Sequence, residues 1–358
     1  MFKLAEFAVH RPCDNQRIVF NEQASSDFFS EPIFMGTKLN TRNARGIDMK
    51  QELHVVLGAS GIIGQAVVDE LTLKKLKIRT VGRTKKTADA DHWVKADLLH
   101  AEQAIRVLEG ASYVYLCVGI AYNSNIWAKE WPVVMQNVIT ACERAKAKLI
   151  FVDNVYMYGP APLKVPFDES HAQNPSSKKG EIRKIIADML MDAHKEGRIK
   201  IVIGRSADFY GPNAINSSFY ISFIKRMKMG QNALSLGKVD VKHTYSYTLD
   251  NGSALVALAL DEDTYGQVWH LPVSRPVTAT EVVNVLNEIL GTGKSVKMLP
   301  RFLFYIMAVL TSPIKEIKEM SYQFDDPYIM NDDKFRKHFP DFRITALEDG
   351  LRAMVKSF

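Results

Sequence analysis

The 358-residue chain has little cysteine, no long apolar run and only a mild excess of positive charge. Its three cysteines, Cys13, Cys117 and Cys142, are widely spaced. Cys117 falls in a strand-like run and Cys142 on a helix-like one, which favours buried free thiols over a disulfide framework or a metal site. Cysteine used this way suits a reducing compartment, so a cytoplasmic location is expected. No run of about 18 apolar residues occurs, so nothing reads as spanning a membrane, and no membrane partner is expected. The best candidate, residues 302–310, is too short and reads as a core helix. The N-terminal region lacks the apolar core of a signal peptide. A net charge of +6 and a pI near 9.0 do not by themselves indicate nucleic acid, which would need a clustered basic surface. One cluster exists, Lys74, Lys75, Lys77, Arg79, Arg83, Lys85 and Lys86, and it has another explanation below. Neither an internal repeat nor a metal-ligand spacing is present.

What is present is enough apolar residue, 47% of the chain, to bury a large core, and length alone suggests about two domains. Residues 1–48 are rich in Asn, Gln, Ser, Arg and Asp, with scattered phenylalanines and no sustained period. They read as a poorly ordered extension, with the catalytic body starting near Met49.

The rest is organised around His54 to Leu71, H-V-V-L-G-A-S-G-I-I-G-Q-A-V-V-D-E-L. Residues 54–57 form a short β-branched run that reads as a buried strand. Gly58, Gly61 and Gly64 follow at three-residue spacing, and behind them Ile63, Val67, Val68 and Leu71 fall at helical spacing. Gly58 permits a tight turn, Gly61 lets backbone approach a phosphate, and Gly64 lets the helix pack closely on the strand. The helix start, at Ile62 and Ile63, offers free N–H groups and the positive dipole end to a pyrophosphate. A strand before and a helix after make this a dinucleotide-binding turn.

A second strand, residues 77–81, ends in Gly82-Arg83-Thr84-Lys85-Lys86. An acidic residue at such a tip would bond the adenosine ribose and repel a 2′-phosphate. Here a guanidinium stands instead, able to pair with phosphate, so NADP is favoured over NAD with Arg83 as the clamp. A third strand, 92–94, leads to Ala96-Asp97-Leu98, where Asp97 either reaches the adenine edge or caps a helix over 102–108. Strand 111–118 ends at Val118 and Gly119, where a small residue lets the chain pass close under the cofactor. A helix over 131–145, strand 148–152, a helix over 181–194 and strand 199–203 follow. Strands alternating with helices predict an α/β fold, a doubly wound parallel sheet of Rossmann type, with a smaller C-terminal substrate domain. The division expected is 1–48 as extension, 49–212 as the nucleotide-binding domain with 240–275 returning to it, and 213–239 with 276–358 as the substrate domain.

Gly58-Ala59-Ser60-Gly61-Ile62-Ile63-Gly64, Asp97-Leu98, Tyr156-Met157-Tyr158-Gly159 and Gly204-Arg205-Ser206-Ala207-Asp208-Phe209-Tyr210-Gly211-Pro212 together resemble the extended short-chain dehydrogenase/reductase superfamily. The likeness is to its NAD-dependent epimerase/dehydratase branch, over about residues 52–355. It implies a cofactor set of Gly58, Ser60, Gly61, Ile62, Ile63, Gly64, Arg83, Asp97, Leu98, Val118, Gly119, Arg183, Ser206 and Ala207. The family's chemistry rests on a Ser or Thr and a Tyr-x-x-x-Lys pair. The Tyr hydroxyl moves the proton, the Lys lowers the Tyr pKa and holds ribose, and the Ser polarises the carbonyl. Aligned on Tyr158-Gly159, the Ser position carries Asn154, the Tyr position Lys179 (or Gly180 if the loop slips by one) and the Lys position Arg183 or Lys184. No Tyr-x-x-x-Lys lies between 174 and 187. This is similar to atypical members with a Lys-Gly-x-x-Arg segment. Asn154 can still donate to a carbonyl and Arg183 can still bind ribose, but Arg is a poor proton relay. A substitute acid would come from Tyr156, Tyr158, Tyr210 or Lys179, although Tyr158 also reads as a packing aromatic and Lys179 as a solvated charge.

Toward the C-terminus, 217–229 reads as an apolar and basic helix, 243–247 as a strand, and Asp250 as the cap of a helix over 251–260. Residues 268–271 read as a further strand. Thr278 to Glu281 open a helix to Leu290, closed by Gly291. His243 reads as a bonded core histidine. The first functional expectation is a hydride-transferring enzyme of epimerase or dehydratase type acting on a small polar carbonyl or alcohol, nucleotide-sugar-like in class. Asn154, Tyr158 and Lys179 are its candidate catalytic residues. The alternative is a non-catalytic NADP(H)-binding redox sensor that lacks the usual Tyr. The superfamily often dimerises through helices like 131–145 and 181–194, so a homodimer is expected.

Overall fold

The structure is a computed structural model that describes residues 51–84 and 92–358. The extension expected over 1–48 and the basic residues Lys85 and Lys86 lie outside the described residues.

The first half alternates strands with helices at most steps. In chain order it runs β1 (Leu53–Leu57), α1 (Ile62–Leu73), β2 (Lys77–Gly82), β3 (Trp93–Lys95), α2 (Ala101–Leu108), β4 (Tyr113–Leu116) and α3 (Ser124–Ala145). It continues with β5 (Lys148–Asp153), α4 (Lys178–Lys195), β6 (Ile201–Arg205) and β7 (Asp208–Tyr210). The exceptions are that β3 follows β2 and β7 follows β6 with no helix between them among the described residues. A π-helical segment (Phe219–Ile224), α5 (Lys225–Lys228), β8 (Ala233–Ser235), β9 (Tyr245–Tyr247), α6 (Thr248–Leu260) and β10 (Gln267–His270) come next. The chain then forms α7 (Ala279–Leu290), β11 (Val296–Met298), α8 (Arg301–Leu310), α9 (Ser312–Lys318), α10 (Asp333–His338) and α11 (Leu347–Lys356).

Seven strands form one sheet in the order β10-β6-β5-β4-β1-β2-β3. Every pairing in it is parallel, with His54 opposite both Ile78 and Tyr113. Parallel strands are covered on both faces, so they read as continuous apolar runs: L-H-V-V-L in β1 is buried throughout. Alternate β1 side chains go to opposite layers. Val55 and Leu57 join Trp131, Val138 and Ile186 from α3 and α4, whereas Val56 joins Val67, Leu71 and Leu258 from α1 and α6. This is a doubly wound Rossmann fold with a smaller C-terminal part.

Several boundaries differ from the expected ones. α3 begins at Ser124, seven residues before the expected start, because Asn123 caps it by accepting from the N–H groups of Asn125 and Ile126. Pro132 looks like a first-turn residue but lies well inside. Asp250 does not cap α6. It sits in the first turn and accepts from Thr345 N (2.8 Å) and Oγ1 (2.7 Å), pinning the approach to α11. β10 enters the main sheet beside β6, but β9 pairs with β7 in a separate two-stranded sheet. Thr278 and Glu281 form the expected capping box, and Gly291 closes α7 in the left-handed conformation. The expected core helix over 302–310 does form, as α8, but only Phe304 and Ala308 on it are buried.

Candidate active site

The winding of the sheet reverses between β1 and β4, and a crevice opens beyond the carboxyl ends of these two strands. Gly58 leaves β1 at φ +82°, and a Cβ there would lie 2.8 Å from the Cys117 carbonyl and Val118 Cα. A Cβ on Gly64 would lie 2.2 Å from the Gly58 carbonyl oxygen. The turn is thus wedged between β4 and the first turn of α1, with no room for side chains. The N–H groups of Gly58 and Ala59 both donate to Val81 O, at 2.9 and 3.3 Å, which fastens the turn to β2. α1 begins at Ile62 with no side-chain cap and no acid in its first turn. Its N–H groups and positive dipole end are therefore left for an anion.

The crevice has a volume of about 320 Å³. Of the predicted cofactor residues, Gly58, Ser60, Gly61, Arg83, Asp97, Leu98, Val118 and Gly119 line it. Ile63 and Gly64 are buried beneath it, and Ile62 packs against the C-terminal cluster, so these three contribute backbone. Asp97 is no helix cap: α2 starts after His100, and the Asp97 carboxylate accepts from Leu99 N at 3.1 Å. Among the described residues nothing lies within 4 Å of a would-be Cβ on Gly119, so no contact with them demands glycine there. Burial pushes the Cys117 thiol in the crevice wall up to about 12, so it stays protonated and is no nucleophile. Arg83 is exposed and also borders a second recess lined by Lys95, His100 and Arg106. The glycine cradle and the uncapped helix start fit a dinucleotide diphosphate.

Beyond the crevice, after β5, the structure departs further from expectation. Asn154 directly follows β5, with Oδ1 accepting from Tyr156 N at 3.1 Å. Lys179 is not a solvated charge: its side chain is fully buried. Its ammonium donates to the Glu316 carboxylate, to Glu319 Oε2 at 2.6 Å and to the Glu316 carbonyl at 3.2 Å, and it lies 4.7 Å from the centre of the Tyr122 ring. Glu316 also accepts from Ser124 N (2.9 Å), Ser124 Oγ (3.4 Å) and Asn123 Nδ2 (3.2 Å). One carboxylate thereby ties α9 to the starts of both α3 and α4. Burial alone would raise the Glu316 pKa, but the Lys179 ammonium and the Ser124 N–H hold it below the usual carboxylate range.

Arg183 does not line the crevice. It is buried beneath it, with Nη2 2.5 Å and Nε 2.6 Å from Asp153 Oδ1 and its guanidinium 4.7 Å from the Trp131 ring centre. Tyr158 is also turned inward: fully buried, its hydroxyl bonds His270 Nε2 at 2.6 Å. Burial pushes it up to about 12 against the opposing pull of Arg205. Ser206 and Ala207 are buried behind β6. Ser206 Oγ donates to Ala207 O and accepts from Asn251 Nδ2. His243 is buried, with Nε2 3.4 Å from Asp208 Oδ2 and no hydrogen bond on that nitrogen among the described residues.

Sequence reasoning missed Tyr122, Glu316 and Glu319. Tyr122 is 42% exposed, and its hydroxyl faces that of Tyr156. It carries no motif, and K-E-I-K-E reads as an ordinary charged helix surface. The pairing with Lys179 spans 137 residues, beyond any local signal.

The fold is shared with solved enzymes at low identity. The UDP-glucuronic acid 4-epimerase of Bacillus cereus in complex with NAD matches with a TM-score of 0.69 and 19% identity, over 85% of this chain and 98% of that one. The UDP-glucose 4-epimerase of Thermotoga maritima with UDP-glucose matches at 0.70 and 19%, over 86% and 98%. A double mutant of the dTDP-glucose 4,6-dehydratase of Streptomyces venezuelae, with NAD bound, matches at 0.69 and 18%, over 86% and 96%. No curated protein sequence matches the chain. Residues 54–270, from the first strand of the sheet to its last, match the model of the NAD dependent epimerase/dehydratase family, and the chain belongs to that family.

Proposed function

We propose that this protein is a nicotinamide-dependent oxidoreductase of epimerase or dehydratase type acting on a small polar carbonyl or alcohol. The observation that carries the proposal is the crevice at the β1/β4 reversal, where the Gly58 turn, the uncapped start of α1 and the exit of β4 converge. Nucleotide sugars, the chemistry named for the solved relatives, are the first substrate class to test. When bound, the coenzyme supplies the hydride chemistry.

The chain's own groups then have these parts. First-turn N–H groups of α1 hold the diphosphate. The Asn154 amide donates to the substrate carbonyl or hydroxyl and orients it. Of the tyrosines that could replace the missing donor, Tyr158 and Tyr210 are fully buried and Tyr156 is half-buried, whereas Tyr122 is open to solvent. Tyr122 is the proton donor in this reading: burial, with Asp208, Glu319 and Glu316 nearby, raises its pKa and keeps the hydroxyl protonated until transfer, and the Lys179 ammonium lies against its ring. Arg183 acts from below, through Asp153 and the end of β5, and fixes the backbone that presents Asn154.

For the coenzyme, NADP(H) is the preferred form. Arg83 stands where a carboxylate would select against the 2′-phosphate, and Lys95 and Arg106 add positive charge to the recess beside it. The NAD in the solved relatives supports the unphosphorylated coenzyme as the second reading. Family membership speaks against a purely sensory role. Purified protein should be titrated with NADPH and NADH by fluorescence, then offered a carbonyl and nucleotide-sugar panel while nicotinamide absorbance is followed. Saturable binding with turnover that Tyr122→Phe lowers by roughly a hundredfold or more supports the assignment. Absence of saturable binding of either coenzyme refutes it.

A further inference from the structure

α8 has its polarity reversed. Phe304 and Ala308 face the protein, packed with Leu299 and Ile314 in a small cluster. On the opposite side Phe302 (69% exposed), Ile306 and Val309 (84% exposed) recur at helical spacing, with Tyr305 and Leu310 beside them. A helix of a water-soluble protein carries polar residues on such a face, and a contiguous apolar one marks a contact surface. Ten residues make a helix about 15 Å long, half of what a membrane crossing needs, so the element can lie along a surface but not span one.

The charges around it select the partner. Lys297 and Arg301 precede the face, and Lys315 and Lys318 follow it. The single acid between 294 and 318, Glu316, is buried against Lys179. Arg301 is paired with Asp325, whereas Lys315 is exposed and the Lys318 ammonium lies 4.4 Å from the centre of the Tyr305 ring. An apolar stripe edged by lysines matches an interface with an anionic headgroup layer over an acyl layer. A second copy docked about a two-fold axis would set the same cations against each other.

We propose that α8 is a docking face for anionic lipid surfaces, with Phe302, Ile306, Val309 and Leu310 entering the acyl boundary and Tyr305 and Lys318 at headgroup level. Attachment is peripheral, and it revises the expectation that the chain meets no membrane. The reading is independent of the proposed catalysis, because every residue named lies outside the crevice.

The test is flotation of the full-length protein with vesicles of phosphatidylcholine alone and of phosphatidylcholine containing phosphatidylglycerol. The expected result is binding to the anionic vesicles that weakens as salt is raised. The double variant Phe302→Ser, Val309→Ser should lower partitioning roughly tenfold or more. Lys297→Glu and Lys315→Glu should each lower it about fivefold. Far-UV circular dichroism and the melting temperature should stay unchanged, since all four side chains are exposed. Failure to bind either vesicle overturns the proposal. So does binding indifferent to these variants, and so does self-association abolished by the same changes without vesicle binding.

Discussion

The Tyr158 hydroxyl and the His270 ring form one buried relay: Tyr158 lies 2.6 Å from Nε2, while Nδ1 lies 2.7 Å from the Asn331 carbonyl oxygen. A carbonyl only accepts, so Nδ1 carries the proton and Nε2 accepts from the tyrosine. The ring is thereby held neutral, and burial, aided by the nearby Arg205, lowers its pKa to about 3.

Acid should therefore destabilise the fold early. His270 and the buried His54, also lowered to about 3, have folded pKa values below the unfolded value near 6.5. Their contribution is complete above about pH 6.5 and is lost as pH falls from there towards 3, at up to about 1.4 kcal/mol per pH unit for each ring. Urea midpoints at pH 7.5 and pH 5 should differ accordingly. A flat profile would show that these rings protonate freely in the folded protein. Tyr158→Phe should cost about 1–2 kcal/mol by orphaning Nε2, while coenzyme affinity stays unchanged.

Asp153 holds two buried cations, Arg183 and Arg205, the latter with Nε at 3.5 Å. Asp153→Asn leaves both without a counter-charge, and about 3–5 kcal/mol should be lost in denaturant unfolding. Replacing Asp153, Arg183 and Arg205 together by Leu, Met and Met, so that no buried cation is left unpaired, should recover much of it. If the single change were tolerated, the pair would not be what keeps the end of β5 in place.

Among the glycines, Gly64→Ala forces Cβ into the Gly58 carbonyl, whereas Gly119→Ala meets nothing within 4 Å among the described residues. The first should lower stability by more than about 2 kcal/mol and abolish coenzyme binding. The second should change stability by less than about 0.5 kcal/mol. Thermal melts of the two variants, run side by side, check both.

Arg83 is the remaining discriminator. Arg83→Asp should invert the ratio of NADPH to NADH dissociation constants by roughly a hundredfold, through loss of a phosphate pair and gain of a ribose acceptor. An unchanged ratio in paired fluorescence titrations would place the preference elsewhere.

Much of this architecture is legible before any coordinates. The change from a continuous apolar run to 3.6-residue spacing across Gly58 fixes β1 and α1, and the capping box at Thr278 fixes α7, because turn and cap chemistry is local. What local signals do not carry is the meeting of distant segments. Lys179 reads as hydrated in Ser-Ser-Lys-Lys because nothing near it announces Glu316. Arg183 reads as a ribose ligand because its counter-charge, Asp153, lies 30 residues earlier. α8 misleads in the opposite sense: an apolar run reads as interior, yet burial depends on what else arrives to cover it.

The Glu316 clasp also sets an order of events. All seven strands of the main sheet have been synthesised by His270, but the carboxylates that accept Lys179 lie in and just after α9. On a nascent chain that ammonium must stay hydrated until α9 has emerged. The N-terminal end of α4 is therefore fastened only after the glycine turn and the whole main sheet already have their backbone.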